Sequence, residues 1–448
     1  MAVTADAIGA YRSDFDSFLL AVDSGEPEWL QETRKGAIRR FEAIGFPTLK
    51  MEDWKRTDVR PITRIPFKVD PSQDPPRIPG DLIEAYTFGV LKCSQLVFVN
   101  GHFAPKLSYL RWLPDGVRVR SLGELLQRRP RDLEPHLGRI ARVDKSAFTC
   151  LNTAFMQDGA FVHIPKGRVV EEPIHLLFVS SSRPEPTVSY PRNLVLMEAE
   201  SQATIIESYV GLDKGVYLTN AVTEIRVGDG AVLDHYKMQR ESEAAFHVSE
   251  TAIHQDRSSN VASNSMSLGG GLVRNDIDTR FQGEGSGLDL NGLYFLHGQQ
   301  HCDNHTFIDH ATPNCSSREL FKGILDGRSR GIFYGKILVR QDAQKTNARQ
   351  TNKNLLLSKE AFADSTPGLE ILADDVKATH GSTVGQLDEN AVFYLRSRGI
   401  PEETARAMLT YAFAAELINQ VKVASMRIKL DQLVLSNLPS GEILQEVL

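Results

Sequence analysis

The stretch NLVLMEAESQATIIESY, residues 193–209, holds two short runs of aliphatic and β-branched residues on either side of a polar turn, MEAESQA. Runs of this kind, bounded by Gly, Asp, Asn or Ser, recur from Leu91 to about Ser358, and almost no helical pattern interrupts them. Such runs are typical of β-strands. The sequence therefore predicts one long all-β region.

The turn signals in this region recur at a regular spacing. After the turn near Ala199, comparable signals lie near Gly228, Asp256, Glu284, Thr312 and Asp342. A period of roughly 28 to 30 residues is typical of a solenoid whose strands stack rung on rung. A sandwich or a propeller is the alternative fold, but neither would give so regular a spacing between turns whose sequences vary this much. We therefore predict a mainly β fold with a parallel β-helix core.

Helical patterns precede and follow this core. Residues 1–90 begin with apolar residues at helical spacing and end in a proline-rich stretch, DPSQDPPRIPGD (Asp70–Asp81), typical of a linker. We predict an N-terminal helical domain and linker at 1–90, the β-helix core at 91–372 and a C-terminal helical domain at 373–448.

Two helices are expected in the C-terminal domain. Asp388 is placed to N-cap the first, and Gly399 stands at its C′ position. The second, Pro401–Leu435, carries an apolar stripe made of Met408, Ala412, Ala415, Leu417 and Ile418. This stripe could pack on the β-core or meet a partner, and packing on the core is favoured.

Composition and cysteine usage exclude several classes of protein. The net charge of -6 and the pI near 6.1 argue against a general binder of nucleic acids or anionic membranes, and no apolar run is long enough to span a bilayer. The N-terminus lacks the features of a secretory signal. The four cysteines are scattered without a C-x-x-C pair, a reduced pattern. We expect a cytoplasmic protein with no membrane and no nucleic-acid partner.

One candidate metal site is HGQQHCDNHTFIDH, His297–His310, which holds four of the twelve histidines. In a strand, alternate side chains share a face, so His301, Asp303 and His305 would lie on one side and Cys302 and His310 on the other. Imidazoles and a carboxylate two residues apart can share a divalent metal. A hydrogen-bonded polar ladder on a solenoid face is the favoured alternative. A metal-dependent or carbohydrate-active β-helix enzyme using this cluster is the alternative function.

A second candidate is His380 in LADDVKATHGSTVGQLDE, Leu372–Glu389, where strands give way to helices. Asp374, Asp375 and Thr379 stand close to it in sequence. A histidine on a junction loop beside Gly381 is available as a ligand or proton shuttle. The sequence shows no phosphate-binding glycine loop and no convincing nucleophile–base pair, so we predict that the chain is not an enzyme.

Several long motifs resemble one family. The run HCDNHTFIDHATPNCSSRELFKGILDGRSRGIFYGKILVRQDAQ, followed by PGLEILADDVKATHGSTVGQLDE, resembles the SufB/SufD family of iron–sulfur cluster assembly proteins. NTAFMQDGAFVHIPKG (152–167) and MEDWKRTDVRPI (51–62) resemble the SufD branch. So does HGSTVGQLD (380–388), because the SufB branch typically has glutamate directly after the histidine. The resemblance covers nearly the whole chain.

The resemblance implies a right-handed parallel β-helix flanked by helical domains, in a scaffold subunit of a SufBCD-type complex. Such a subunit pairs with SufB and binds the SufC ATPase through its C-terminal helical domain; the isolated chain could form a homodimer. No cofactor is expected to bind tightly, but a transient iron–sulfur cluster would be shared with SufB. His380 would contribute an iron or cluster ligand at that interface. Family members commonly carry cysteine two residues before this histidine, where this chain has Ala378.

Overall fold

The computed structural model describes residues 2–22, 25–69, 78–89, 91–141, 143–144, 146–439 and 441–442. Most of the predicted linker, residues 70–77, lies outside these ranges. The described helices of the N-terminal half are α1 (Ala2–Ala21), α2 (Glu28–Ile44), α3 (Arg60–Thr63), α4 (Gly80–Glu84), α5 (Leu122–Arg128) and α6 (Ala147–Phe155). No helix among the described residues is long and apolar enough to cross a membrane.

Helices α1, α2 and α6 share one aromatic core. The rings of Phe15 and Phe155 meet edge to face at 5.7 Å, and the buried Arg34 of α2 donates to the carbonyl of Ala154 in α6 at 2.9 Å. All nine residues of α6 are buried. A helix that is covered all round has no polar face and so no helical period. The expectation that almost no helix interrupts the β region was therefore wrong at α6, and also at α5.

The strands in chain order are β1 (Lys68–Val69), β2 (Ser94–Val99), β3 (His102–Phe103), β4 (Arg118–Ser121), β5 (Ala160–Ile164), β6 (Ile174–Ser180), β7 (Thr187–Ser189), β8 (Arg192–Met197), β9 (Gln202–Gly211), β10 (Tyr217–Val227), β11 (Val232–Arg240), β12 (Phe246–Gln255), β13 (Asn260–Ser267), β14 (Leu272–Phe281), β15 (Gly287–Leu296), β16 (His301–His310), β17 (Ser316–Leu325), β18 (Arg330–Val339), β19 (Asn347–Leu356), β20 (Phe362–Ile371) and β21 (Lys377–Gly385).

These strands form a parallel β-helix of about eight turns. From β8 onward even-numbered strands belong to one sheet and odd-numbered strands to the other, and each pairs in parallel with the strand two positions along. The exceptions are the antiparallel pairs β2–β3 and β4–β5 at the N-terminal end. The predicted mainly β fold with helical flanks is thus confirmed.

The corners that follow β8, β10, β12, β14, β16 and β18 repeat one backbone conformation. A residue with φ of 56–72° occurs there every 27 to 31 residues, at Glu200, Gly230, Ser258, Gly285, Asn314 and Lys345. Each of these residues donates its N–H to a carbonyl of the next corner at 2.6–3.2 Å. The corners therefore stack as a hydrogen-bonded column. This stacking is the physical basis of the period predicted from the sequence.

The C-terminal helices are α7 (Glu389–Ser397), α8 (Glu402–Ile418) and α9 (Ala424–Ser436). The Asp388 carboxylate caps α7 by accepting the N–H of Asn390 at 2.9 Å, and Gly399 has φ of 86°, so both predicted helix ends are confirmed. Leu417 and Ile418 are buried against the odd-numbered sheet. The predicted continuous helix is instead two helices, because the chain turns between Asn419 and Val423.

The predicted stripe on α8 is only partly correct. Ala412 is exposed, whereas Ala407 and Ala414 are buried against the sheet. The strand pairing also continues beyond the predicted core boundary at residue 372. The last strand, β21, pairs in register with β19 as far as Gly385, because the rung pattern persists there even though few apolar residues mark it.

The interior of the β-helix contains buried polar side chains as well as an apolar core. Glu319 of β17 is 1% exposed and accepts a 2.7 Å hydrogen bond from the amide of Gln350 on β19. Burial raises the pKa of Glu319 to about 7, although interactions with Thr306 and Gln350 act in the opposite direction. The carboxyl group therefore keeps its proton to an unusually high pH.

Replacing Glu319 should stabilise the chain in a pH-dependent way. Between its ordinary pKa of 4.5 and about 7, the unfolded chain loses this proton while the native chain keeps it, so rising pH favours unfolding. Glu319→Gln, which cannot ionise, should gain little at pH 5 and about 3 kcal/mol at pH 8 relative to the wild type. Urea unfolding at both pH values measures this difference. The exposed Glu403→Gln is the control, and an equal effect of Glu319→Gln at both pH values would contradict the prediction.

Candidate functional site

The C-terminal rung, β20 and β21, leaves the β-helix open at this end. Among the described strands β20 pairs only with β18, and β21 only with β19, so one edge of each has no strand beside it. Nearly every residue of β21 is exposed. Large apolar side chains are exposed on or beside this rung, namely Phe362, Ile371, Leu372 and Val384. Open strand edges with exposed apolar residues are surfaces that pair with another chain.

His380 lies within this terminal rung. It is the fourth residue of β21, so the predicted position on a junction loop was wrong. Asp374 and Asp375 stand in the turn before the strand, where the N–H of Asp375 donates to Gln344. His380 lies about 10 Å further along the extended strand, which begins only at Lys377. The structure therefore does not bring the two aspartates to the histidine, and the outward-facing Thr379 is on the other side of the strand.

The strand register aligns His380 with two buried polar residues. Glu319 is opposite Gln350, and Gln350 is opposite His380, so all three point to the interior side of the β-helix. No local motif in the sequence predicts a role for Gln350. The turn period could have indicated it, because Gln350 lies 30 residues, or one turn of the coil, before His380. Ala378 is on the same side of β21 and packs against the core.

A single imidazole cannot complete a metal site. Tetrahedral iron–sulfur and zinc sites require about four ligands, and the described part of the chain contains no group of three or more His, Cys, Asp or Glu side chains placed to hold an ion. His380 can therefore contribute one nitrogen ligand at the open end. The remaining ligands would have to come from another molecule.

The other candidate cluster lies on the outer face of β16. As predicted, His301, Asp303 and His305 share one face, while Cys302 and His310 point into the core. The Thr57 hydroxyl donates to Asp303 and lies 2.9 Å from Nε2 of His301. The N-terminal segment that carries MEDWKRTDVRPI thus covers this face.

Asp303 is surrounded by protein groups that can balance its charge. Its carboxylate accepts a 2.7 Å hydrogen bond from the buried Arg274 and lies 3.1 Å from Nε2 of His305. Burial alone would raise the pKa of Asp303, but the charge of Arg274 and the contacts with His305 and Thr57 outweigh it and hold the pKa well below its usual range. Because the Arg274 guanidinium lies 2.7 Å from the Asp303 carboxylate, it would repel a metal cation bound to that carboxylate.

Arg274 fixes the covering segment in place. Its guanidinium lies 4.3 Å from the centre of the Trp54 ring, donates to the carbonyl of Asp53 at 2.9 Å and pairs with Asp276 at 2.7 Å. In the sequence the motif with Trp54 and Thr57 is only a mark of family resemblance, and nothing local connects it with the histidine cluster. The contacts match the hydrogen-bonded ladder favoured from the sequence.

Replacing Asp303 should lower the free energy of unfolding of the chain without changing its metal content. In Asp303→Asn the buried Arg274 loses its innermost counter-charge, and breaking such a pair costs about 3 kcal/mol or more. Asp276→Asn is the matched control, because the Asp276 side chain is 27% exposed and its loss should cost less. Urea unfolding measures stability and elemental analysis measures metal. A stoichiometric metal in the isolated chain that is lost in Asp303→Asn would support the metal-enzyme alternative instead.

Comparison with known proteins agrees with these observations. Residues 178–413 match the family description "SUF system FeS cluster assembly, SufBD core domain", and residues 7–176 match "SufBD protein N-terminal region". A SufBD family iron–sulfur cluster assembly protein of Synechocystis sp. is 35% identical over 97% of this chain and 98% of its own length.

Two relatives carry the name iron–sulfur cluster assembly protein SufD. That of Escherichia coli is 32% identical over 90% of this chain and 92% of its own length. That of Bacillus subtilis is 28% identical over 64% of this chain and 65% of its own length. With two family descriptions covering most of the chain and relatives that align nearly end to end, the chain belongs to the SufBD family of iron–sulfur cluster assembly proteins.

Proposed function

We propose that this chain is a non-catalytic scaffold subunit of a SufBCD-type complex in the cytoplasm. It pairs with a SufB subunit, docks the SufC ATPase and helps to form a nascent iron–sulfur cluster at the SufB interface. The observation that carries this proposal is the open terminal rung, which presents His380 among exposed edge strands and apolar side chains.

The open rung suits a partner of the same architecture. Strands β20 and β21 each offer a row of unpaired backbone groups, and a strand from another chain can satisfy them by edge pairing. The N-terminal end differs, because the sheets there finish in the antiparallel strands β3 and β4. A β-helix subunit such as SufB would therefore meet this chain at the C-terminal end.

At such an interface His380 would supply one ligand to a shared cluster. Imidazole is an established ligand of iron–sulfur clusters alongside thiolate. Because Ala378 replaces the usual cysteine and the cysteines at positions 93, 150, 302 and 315 are buried, the sulfur ligands would come from SufB. A cluster held by one ligand on this side is readily passed on, as expected for cargo rather than a resident cofactor.

The C-terminal helices offer a separate surface for the ATPase. Helices α8 and α9 bury their apolar residues against the odd-numbered sheet, so they are fixed to the scaffold. Helix α7 instead exposes Phe393 at 70% and Tyr394 at 55%. Exposed aromatic residues of this kind are frequent anchors of protein interfaces. The ATP chemistry would belong to SufC, since this sequence has no phosphate-binding loop.

Replacing His380 should impair cluster formation without impairing assembly. We expect co-expressed His380→Ala to co-purify with SufB and SufC in wild-type proportions, because the imidazole is exposed and is not part of the apolar core. Iron and acid-labile sulfide in the anaerobically purified complex should fall about tenfold or more. Losing a residue that only hydrogen-bonds a metal ligand already lowers metal affinity by about that factor, and losing the ligand itself should cost at least as much.

His297→Ala is the matched control. The His297 side chain is 39% exposed and pairs with an exposed residue, Glu243, but it lies on a corner of the β-helix three rungs away from the open end, so its loss should leave iron content unchanged. Wild-type iron content in His380→Ala would contradict the ligand role. Failure of the wild-type chain to co-purify with SufB and SufC would contradict the scaffold proposal as a whole.

A further inference from the structure

Gln350 occupies the position directly behind His380. The two residues are opposite each other on the paired strands β19 and β21, and side chains at opposite positions of adjacent strands are about 5 Å apart at their β-carbons. Gln350 is 1% exposed, whereas His380 is exposed at the end of the column. Gln350 is therefore the last buried polar residue of the column formed by Glu319, Gln350 and His380.

The amide of Gln350 has one satisfied end and one unsatisfied end. Nε2 donates to Oε2 of Glu319 at 2.7 Å, while Oε1 is buried and has no hydrogen-bond partner within the described structure. A buried carbonyl oxygen without a partner destabilises the folded chain, because it has lost its hydrogen bonds to water. Buried polar atoms in folded proteins nearly always have a hydrogen-bond partner, so we expect a donor close to Gln350 Oε1.

Two neighbours hold this amide in its orientation. Oε2 of Glu319 accepts from the NH2 end in the structure, which leaves Oε1 as the free end. Gly335 on the opposite sheet makes room for the side chain, because a β-carbon at that position would lie 2.3 Å from Nε2 of Gln350. The glutamine is thus confined from both sides and presents a fixed acceptor.

In the structure the His380 ring does not donate to this oxygen. We infer that Gln350 is a positioning residue for His380: when the exposed imidazole rotates toward the coil, Gln350 Oε1 accepts a hydrogen bond from one ring N–H, and the other ring nitrogen faces out of the open end as the metal ligand. This inference rests on the proposed ligand role of His380. Histidines that bind metals almost always donate the second ring N–H to a carboxylate, a carbonyl or water, which fixes both tautomer and ring orientation. Gln350 Oε1 offers such a carbonyl, and Glu319 supports it from behind.

The tautomer of His380 tests this hydrogen bond directly. The full chain is labelled with 15N-histidine, and the His380 signals are assigned by their loss in His380→Ala. At a pH where the imidazole is neutral, we expect the two ring nitrogens of the wild type to show one predominant tautomer. In Gln350→Leu, which has no acceptor, the two tautomers should average. Gln350→Glu keeps an acceptor oxygen and should retain the single tautomer.

The chain offers a matched control in Gln255. This glutamine is also fully buried inside the β-helix, donates through Nε2 and has an unpartnered Oε1, but it lies on β12, far along the coil from His380. Gln255→Leu should therefore leave the His380 signals unchanged. If Gln350→Leu does not fold, Gln350→Met provides an acceptor-free side chain of similar length.

The co-expressed complex provides a second measurement. Iron content should fall about tenfold in Gln350→Leu and be restored in Gln350→Glu. A tenfold loss is typical when a residue that hydrogen-bonds a metal ligand is removed. An unchanged His380 tautomer in Gln350→Leu would overturn the inference and would mean that water satisfies Gln350 Oε1. Unchanged iron in His380→Ala, together with a tautomer that depends on Gln350, would instead reject the ligand role and leave the hydrogen bond established.

Discussion

The stacking of successive corners is the constraint on which the rest of the structure depends. Each of the six corners that follow the even-numbered strands β8 to β18 holds one residue in the left-handed region, and the N–H of that residue donates to a carbonyl of the next corner. Four of the six positions are not glycine, so each accepts a local conformational cost of about 1 kcal/mol or more. In return every rung repeats the path of the one before it. A coil built in this way has no natural end, and its last rung must be closed or left open to a partner.

The same constraint creates the candidate site. Because the coil repeats every 27 to 31 residues between corners, residues about one period apart in sequence become neighbours in space. Polar side chains inside the coil therefore form columns rather than isolated contacts, as Glu319, Gln350 and His380 do. The buried members bear the cost of desolvation, which is visible in the raised pKa of Glu319. The exposed member stands where the coil stops, and it can meet a ligand or a second protein.

Sequence reasoning predicted the features that depend on local periodicity. The turn spacing predicted the coil, the alternation in β16 placed His301 and His310 on opposite faces, and Asp388 and Gly399 marked the ends of α7. The prediction failed where burial or strand pairing removes the local pattern of apolar and polar residues. Helix α6 has no polar face, and β21 has few apolar residues because it lies at an open end. The role of Gln350 depends on register between rungs, which only a comparison of residues one period apart can reveal.

The central claim, that the open rung is the surface at which a SufB subunit binds, is tested most directly by amide hydrogen exchange at this rung. Exchange is compared between the free chain and the chain purified with SufB. The predicted result is slower exchange in residues 362–371 and 377–385 of the complex, with no change in β3 at the opposite end. Unchanged exchange in both terminal strands within an intact complex would contradict the claim and would place the SufB interface elsewhere.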